Sequence, residues 1–492
     1  MMSSHIRSYS SDAIPPSVHA KKIQSIRNFV LDRPKALNSL NLEMINLITP
    51  QLQVWENSDL CKVIVLSSSP SSPAFCAGGD VKDIVLTARS QSNEDIETAF
   101  KFFEEEYKLN HLLATTKKPF VSILNGITMG GGVGISVHGQ FRIVTEKTLI
   151  AMPETSIGLF PDVGGSFFLP RLDGELGVFL GLTGHRLKGE EAFFAGFGTH
   201  YVPSTRIDTL TNRLAELETD ELDVINGIID EFSGDISVEK FKNWSLGGAI
   251  GDMINRCFQY NTIEEILAAL EEEVNGSDLT VSAFAAKQLK VLKSVSPTSL
   301  KVTLAQLRNG AQMDIAACLQ MEANMVQQFL RTPDFFEGVT AKLINKSKDQ
   351  PKWNPSFENI NDIGPNDVQK YFQNSAEKKV LKFYNNLTYF DYPHRTLSGL
   401  PTDRDIKQII TGDGKRDGTA GKPKTKQDLL NFVKDSWGQY DSGIIGHSKE
   451  SLPKRVNIGG QFGRGKIGLI EKVTTILDRH VQESGNQLKW IH

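Results

Sequence analysis

Two glycine-rich turns carry the strongest chemical signal in the sequence: FCAGGD at residues 75–80 and NGITMGGGVG at residues 125–134. Each follows a short apolar run, and their glycines leave backbone N–H groups without side chains in the way. Two converging N–H donors stabilise a developing oxyanion, helped by the positive end of a following helix. The second turn could equally cradle phosphate or pack a helix closely on a strand. It matches neither common nucleotide-binding motif, which argues against nucleotide binding.

Three carboxylates could supply a nucleophile or a general base. Glu106 shares the apolar stripe of a predicted helix with Phe102 and Leu109, so it faces inward, although a run of three glutamates is usually a solvated face. Glu154 and Asp162 lie between apolar residues in turn-like settings, and Asp162 by itself is typical of a simple turn. Together with two oxyanion turns, these carboxylates provide the groups that acyl chemistry needs.

Other catalytic chemistries find little support in the sequence. There is no G-x-S-x-G motif, and single histidines such as His138 and His185 are more often structural residues than bases. The four cysteines have no C-x-x-C spacing, so they indicate neither a disulfide framework nor a zinc site. We therefore expect buried thiols in a reducing compartment, and no metal.

The pattern of apolar residues predicts an α/β fold. Residues 62–66 and 119–124 are predicted to be buried strands, and residues 42–55 carry apolar side chains at helical spacing. Beyond about residue 185 the pattern becomes mostly helical, with helices predicted at 210–232, 263–274 and 282–295. Prolines then mark a connector at residues 354–372.

Composition and charge indicate an ordinary globular chain with a distinct C-terminal extension. The 492 residues are 39% hydrophobic and 23% charged, and we find no run of eighteen apolar residues, which argues against a membrane span. The net charge is −4, yet residues 373–492 hold 20 basic against 13 acidic residues. A basic extension on an acidic body often meets a polyanion, although a solvated appendage explains the same charge.

The N-terminus is typical of a mitochondrial presequence. Residues 1–11 are rich in serine, contain Arg7 and have no acidic residue. We therefore expect residues 1–20 to be a presequence or a flexible terminus, and the mature protein to lie in the mitochondrial matrix.

Several segments, in this order, resemble the crotonase superfamily, and within it the 3-hydroxyisobutyryl-CoA hydrolases. The resemblance covers roughly residues 21–353. The segments that carry it are residues 33–38, 75–80, 129–134, 139–142, 151–155, 296–300 and 337–341. It implies a spiral of ββα turns, with a helical C-terminal part and the basic extension added.

The same resemblance implies a role for each candidate residue. Gly79 and Gly131 would donate the oxyanion-hole N–H groups, Glu154 would attack the carbonyl or activate water, Asp162 would position it, and Glu106 would hold the substrate hydroxyl. CoA would be held by Lys35, Ala36, Leu37 and Lys82. No cofactor is implied, because CoA is part of the substrate.

Two departures qualify this resemblance. Enoyl-CoA hydratases carry two catalytic glutamates, of which one matches Glu154 and the other would fall at Gly134, so the sequence favours thioester hydrolysis over hydration. The long extension resembles that of fungal members that are also proteins of the mitochondrial small ribosomal subunit. Candidate RNA contacts are Arg395, Arg404, Lys415, Arg416, Lys454 and Arg455.

The sequence thus predicts hydrolysis of 3-hydroxyisobutyryl-CoA in mitochondrial valine catabolism, together with a place in the small ribosomal subunit. The alternatives are a purely structural ribosomal protein on the same fold and, third, an enoyl-CoA hydratase or isomerase. Because crotonase relatives often assemble, a homo-oligomer is compatible with the free protein.

Overall fold

The computed structural model describes residues 16–373, 379–393, 395–412, 423–437, 466–485 and 487–491. Residues 1–15 of the segment 1–20, predicted to be a presequence or a flexible terminus, lie outside the described residues, whereas residues 18–20 already belong to the first strand. Four candidate RNA contacts (Lys415, Arg416, Lys454 and Arg455) also lie outside the described residues. The strands are β1 Val18–Ile23, β2 Ile26–Leu31, β3 Val63–Ser68, β4 Ala74–Cys76, β5 Phe120–Leu124, β6 Ile127–Met129, β7 Phe141–Val144, β8 Leu149–Ala151, β9 Leu187–Lys188, β10 His200–Tyr201, β11 Val481–Ser484 and β12 Gln487–Trp490.

Helices make up most of the remaining described structure. The helices are α1 Leu42–Glu56, α2 Val81–Thr87, α3 Asn93–Ala114, α4 Gly131–Val137, α5 Gly165–Phe168, α6 Leu176–Thr183, α7 Glu190–Phe194, α8 Ile207–Ala215, α9 Leu222–Glu231, α10 Val238–Asn243, α11 Gly248–Phe258, α12 Ile263–Val274, α13 Leu279–Leu292, α14 Pro297–Gly310, α15 Ile315–Phe329, α16 Pro333–Val339, α17 Pro365–Gln369, α18 Arg395–Ser398, α19 Asp403–Thr411, α20 Lys426–Ser436 and α21 Leu469–His480. The predicted α/β class is confirmed.

Two mostly parallel sheets form the N-terminal half. The larger has the strand order β1-β2-β3-β5-β7-β10 and is parallel except for the β1–β2 hairpin. The smaller has the order β4-β6-β8-β9, with β8 and β9 antiparallel. In each of the first two turns of this arrangement, a strand of the large sheet is followed by a short strand of the small sheet and then by a helix.

The large sheet is covered on both faces, which explains the continuous apolar runs of its strands. Alternate residues of β3 point to opposite sides. Ile64 and Leu66 belong to the main core, whereas Val63 and Val65 pack in a second cluster with α8 and α9. Burial on both faces fixes the register between β3 and β5. The strands that follow them, β4 and β6, pair with each other, so the glycine turns after β4 and β6 lie close together.

The described parts of the C-terminal extension form an apolar cluster of their own and also contribute to the main core. Residues of α19, α20, α21 and β11 form a third apolar cluster, while Leu381 and Tyr389 belong to the main core. Lys472 of α21 is ion-paired with Asp173 of the body. The polar connector and the start of the extension therefore do not separate two independent units at residue 373.

Within the described ranges, no helix has the length and the hydropathy needed to cross a bilayer. All four cysteines are buried and free, as their sequence pattern indicates.

Candidate active site

The two glycine turns converge on one point. A methyl group placed on Gly131 would stand 3.2 Å from the backbone nitrogen of Gly79 and 2.5 Å from Oε1 of Glu106. Gly131 is the first residue of α4, so its N–H group has no partner within the helix. In the part of the chain that the structure describes, neither the Gly79 nor the Gly131 amide donates to a protein acceptor. The arrangement therefore offers two N–H donors and the positive end of α4 to an anionic oxygen.

Hydrogen bonds from the loop before α1 hold the first turn in place. Leu40 and Gly79 form an isolated parallel bridge, in which the Leu40 N–H donates to the Gly78 carbonyl at 2.8 Å. The buried Asn38 amide donates to the carbonyls of Ala74 and Phe75 at 2.9 and 3.1 Å. These bonds fix the backbone that leads into the turn, so the Gly79 amide is held in its orientation before any substrate binds.

Glu106 faces the site from the long helix α3. Its side chain is 2% exposed, and its Oε1 atom has no hydrogen-bond partner among the described residues. The adjacent glutamates instead pair with lysines of the same helix: Glu105 Oε1 lies 3.2 Å from Lys108 Nζ and also pairs with Lys101, while Glu104 also pairs with Lys108. The spacing argument thus correctly selected the one inward-facing carboxylate in a run of three.

Glu154 and Asp162 enter the site from the chain that follows β8. Glu154 begins a 3₁₀ turn, Glu154–Ile157, and is 5% exposed. Its Oε1 lies 2.8 Å from the position of a methyl group placed on Gly130, directly beside the second glycine turn. Asp162 is also 5% exposed and accepts a hydrogen bond of 2.8 Å from the Tyr107 hydroxyl. The structure therefore brings together all three predicted carboxylates and both glycine turns.

Burial raises the pKa of three neighbouring carboxyl groups. Burial raises the pKa of Glu106 well above its usual range, and the charges of Asp162 and Glu154 raise it further. The pKa of Glu154 is likewise raised well above the usual range by burial and by Asp162. Burial raises the pKa of Asp162 to about 7, although the Tyr107 hydroxyl bond opposes this shift. Groups that exchange protons near neutral pH suit acid–base catalysis.

The predicted CoA-binding residues lie on the surface beside the first glycine turn. Lys35, Ala36 and Leu37 form a 3₁₀ turn and its cap, and the Ala77 N–H donates to the Leu37 carbonyl at 3.1 Å. Lys82 follows the turn at the start of α2, and like Lys35 and Leu37 it is exposed. These exposed residues lie next to the first glycine turn, where they are accessible to a ligand from the surface.

Sequence reasoning missed one buried acid, Glu322 on α15. Its carboxylate accepts hydrogen bonds from the Gly164 N–H at 2.7 Å and from the Ser166 N–H and hydroxyl at 2.9 and 2.5 Å. It therefore anchors the loop that carries Asp162, and burial raises its own pKa to about 8. The signal was present: Glu322 stands at spacings of three and four from apolar Leu319 and Val326, as Glu106 does on α3.

The position that a second hydratase glutamate would take is filled. A methyl group on Gly134 would lie 2.5 Å from Val163 Cβ and 3.0 Å from Asn110 Nδ2. Even the first carbon of a longer side chain would collide with these two residues. This close approach explains why glycine is required at position 134. Of the two positions that carry a glutamate in the hydratases, only Glu154 therefore supplies a carboxylate here.

Replacing Glu106 with glutamine is expected to raise stability at alkaline pH. The folded protein keeps the Glu106 carboxyl group protonated at pH values above about 4.3, the pKa of a glutamate in the unfolded chain. As pH rises beyond that value, the free energy of unfolding of wild type therefore falls by about 1.4 kcal/mol per pH unit for this one proton. Glu106→Gln removes this loss, so the variant and wild type should be equal near pH 4 and the variant more stable at pH 8. Urea unfolding across this pH range measures the difference.

The neighbouring Glu105 provides a control of opposite sign. Burial acts to raise the pKa of Glu105, but hydrogen bonds from Lys101 and Lys108 lower it overall. The variant Glu105→Gln should therefore lose stability relative to wild type as pH rises. Parallel pH profiles for the two variants would contradict the assignment of Glu106 as a destabilising buried acid.

Comparison with known proteins gives a consistent group of relatives. The sequence model for enoyl-CoA hydratase/isomerase matches residues 26–372. The chain is 44% identical over 474 residues to the small ribosomal subunit protein mS47 of Neurospora crassa, covering 94% of this chain and 85% of that protein. It is 43% identical over 353 residues to the mitochondrial 3-hydroxyisobutyryl-CoA hydrolase of Homo sapiens, covering 72% of this chain and 87% of that protein.

Solved structures show the same fold. A carnitinyl-CoA dehydratase from Mycobacterium thermoresistibile superposes with a TM-score of 0.64 at 31% identity, covering 75% of this chain and 99% of that one. An enoyl-CoA hydratase from Rhodobacter sphaeroides superposes with a TM-score of 0.63 at 32% identity, covering 75% of this chain and all of that one. The quarter of the chain that these two structures leave uncovered is comparable in size to the C-terminal extension.

Proposed function

Because the chain belongs to the enoyl-CoA hydratase/isomerase family, we propose that it hydrolyses 3-hydroxyisobutyryl-CoA, a short 3-hydroxyacyl-CoA thioester, in the mitochondrial matrix. The observation that carries the proposal is the convergence of two N–H donors and two carboxylates at Gly130 and Gly131. The human relative is named as this hydrolase and as mitochondrial, which supports both the substrate and the compartment.

In the proposed reaction the thioester carbonyl oxygen lies between the amides of Gly79 and Gly131. Glu154 either attacks the carbonyl carbon or takes a proton from a water molecule that attacks it, and both roles require its ionised form. Formation of the new C–O bond gives a tetrahedral oxyanion, whose collapse breaks the C–S bond and releases CoA as a thiolate. If Glu154 acts as base, the proton that it took from water passes to this thiolate; if it attacks, water then hydrolyses the acyl-Glu154 anhydride, which restores the carboxylate and supplies that proton. Asp162 positions Glu154, and Glu106 holds the substrate hydroxyl. This scheme uses the chain's own residues and no cofactor.

Hydration of an enoyl-CoA is the less favoured alternative. By resemblance to the hydratases it would need a second glutamate at Gly134, where Val163 and Asn110 leave no room for a side chain. An assay with 3-hydroxyisobutyryl-CoA that records thiol release, beside one with an enoyl-CoA that records loss of the conjugated chromophore, tests this choice. We expect thiol release only; chromophore loss without thiol release would overturn the hydrolase proposal.

A second function, as a component of the mitochondrial small ribosomal subunit, is favoured by the extension. The relative named as a small ribosomal subunit protein matches 94% of this chain, so the match includes most of the extension. Arg404 is exposed on α19 and available to a polyanion. Arg395 is not, because its guanidinium makes two hydrogen bonds of 2.7 Å to Asp405. We therefore expect Arg395 to contribute less to RNA binding than Arg404.

Density-gradient sedimentation of mitochondrial lysate tests the ribosomal role. Since Leu381 and Tyr389 belong to the main core, charge reversal in the full chain is preferable to truncation after residue 372. The test variant changes five basic residues of the extension to glutamate: Arg404, Lys415, Arg416, Lys454 and Arg455. The control variant makes the same charge change at five exposed lysines of the body: Lys287, Lys290, Lys346, Lys348 and Lys352.

We expect wild type and the control variant to sediment with the small subunit, and the test variant to remain in the light fractions. If wild type itself stays light, the ribosomal proposal fails. A purely structural ribosomal role is disfavoured, because Glu106, Glu154 and Asp162 are buried, repel one another and lower stability at neutral pH. A purely structural role gives no reason for this loss of stability, whereas catalysis does.

A further inference from the structure

Residues 379–393, here called the strap, pack along the side of the body that supports the active-site loop. The strap lies beyond the last residue matched by the family model, 372. The Leu381 N–H donates to Gln320 Oε1 at 2.8 Å, and the Tyr389 carbonyl accepts from the Ile315 N–H at 3.1 Å. Both partners belong to α15, the helix that carries Glu322. The start of the extension therefore holds the helix that anchors the loop bearing Asp162.

A histidine links the strap to this loop directly. His138 Nε2 lies 2.8 Å from the Val163 carbonyl oxygen, and its Nδ1 lies 3.4 Å from the Tyr392 hydroxyl. Burial lowers the pKa of His138 to about 4, so the ring is neutral. A carbonyl oxygen can only accept, which places the ring proton on Nε2. Nδ1 is then the acceptor, and the Tyr392 hydroxyl donates to it.

Val163, at the end of this chain of bonds, has a strained backbone. Its φ of +53° is unusual and strained for a β-branched residue, so the surrounding structure must hold it. The His138 N–H holds the Val163 carbonyl, and the Glu322 carboxylate holds the next amide, that of Gly164. The residue before Val163 is Asp162. The orientation of the Asp162 side chain therefore depends on a backbone conformation of Val163 that requires these two hydrogen bonds.

We propose that His138 and Tyr392 are positioning residues for Asp162, and that the strap therefore contributes to catalysis by orienting this carboxylate. Tyr392 donates to His138, His138 donates to the Val163 carbonyl, and this fixes the backbone on which Asp162 is carried. Tyr392 also packs edge-on against Phe167, at 5.2 Å between ring centroids, on the far side of the same loop. The catalytic part of this inference rests on the proposed hydrolase function; the structural part does not.

Two measurements on full-length protein test the inference: hydrogen–deuterium exchange of peptides covering residues 160–168, and steady-state hydrolysis of 3-hydroxyisobutyryl-CoA. His138→Leu removes the donor to Val163, whereas His138→Gln retains an amide N–H near the position of Nε2. Tyr392→Phe removes only a hydroxyl. Tyr384→Phe is the matched control on the same strap, because that hydroxyl contacts Glu105 on the protein surface at 3.3 Å.

We expect exchange at 160–168 to be at least tenfold faster in His138→Leu, and about threefold faster in Tyr392→Phe. Rescue by His138→Gln should restore it, and Tyr384→Phe should match wild type. The kcat should fall with the same ranking while KM stays within threefold, since the CoA-binding surface is untouched. Tyr392→Phe keeps the test valid if His138→Leu does not fold.

The outcomes separate the two proposals. If wild type does not hydrolyse the thioester, the proposed function fails, and exchange at 160–168 still decides whether the strap holds the loop. Unchanged exchange in folded His138→Leu and Tyr392→Phe overturns the inference, as does an equal change in Tyr384→Phe. Altered exchange with unchanged kcat would also overturn it, because Asp162 would then not depend on the loop.

Discussion

The variant Glu154→Gln is expected to fold, to bind substrate and to lose at least about 10³ of the hydrolytic rate. Glutamine fills the same space as glutamate, but it can neither attack the thioester carbonyl nor take a proton from water. A positioned acid or base contributes roughly 10²–10⁴ in rate, and a nucleophile that is removed cannot be replaced by its amide. Thiol release at saturating 3-hydroxyisobutyryl-CoA measures the loss.

The KM and the stability of Glu154→Gln provide two further measurements of its effect. KM should stay within about threefold, because the oxyanion hole and the CoA-binding surface are unchanged. Since burial raises the pKa of Glu154, the variant should also unfold at higher denaturant than wild type at pH 8. Glu105→Gln, a change of the same type on the surface of α3, should keep near-normal turnover. Near-normal turnover by Glu154→Gln itself would refute its assignment.

The variant Gly131→Ala is expected to lower kcat by about 10²–10³, the usual cost of losing an oxyanion-hole donor. Gly131 is the first residue of α4 and does not have a positive φ, so alanine fits the backbone there. The added methyl group instead occupies the space between Glu106 Oε1, at 2.5 Å, and the Gly79 nitrogen, at 3.2 Å. It thus excludes the carbonyl oxygen from the two N–H donors.

Gly227→Ala is the matched control for this steric effect. Gly227 lies within α9, and a methyl group placed on it meets no atom within 4 Å. Alanine is the better helix former by about 1 kcal/mol, so this variant should be fully active and slightly more stable. Circular dichroism and thermal unfolding of both variants establish that Gly131→Ala is folded. Full activity in a folded Gly131→Ala protein would mean that the oxyanion binds elsewhere.

The candidate active site was predictable from the sequence as far as local patterns of residues allow. Apolar runs before two glycine turns indicated strands that end in exposed N–H groups, and helical spacing separated Glu106 from its two neighbours. Both signals work because the periodicity of a strand or a helix determines which side chains face inward. The roles assigned to Glu154 and Asp162 also needed the resemblance to a family, since turn composition alone could not distinguish Asp162 from an ordinary turn residue.

Partners distant along the chain were beyond such rules. Tyr107 donates to Asp162 across 55 residues, and Glu322 reaches Gly164 across 158. Spacing along α15 could have flagged Glu322 as buried, but it could not name the loop that Glu322 holds. Likewise, the charge of the extension suggested a separate appendage, whereas Tyr389 lies in the main core.

The sequence by itself therefore determined the α/β class, the two glycine turns and which carboxylate of α3 faces inward, because each depends on neighbours within a few residues. Only the tertiary structure decided three further features. It brings the two glycine turns together with the carboxylates of Glu106, Glu154 and Asp162, it packs Val163 against Gly134, and it places the strap in contact with residues that support the loop of Asp162. These depend on the packing of elements far apart in the chain. Packing also places the carboxylates together in a buried site, and it is this burial that raises their pKa values above the usual range.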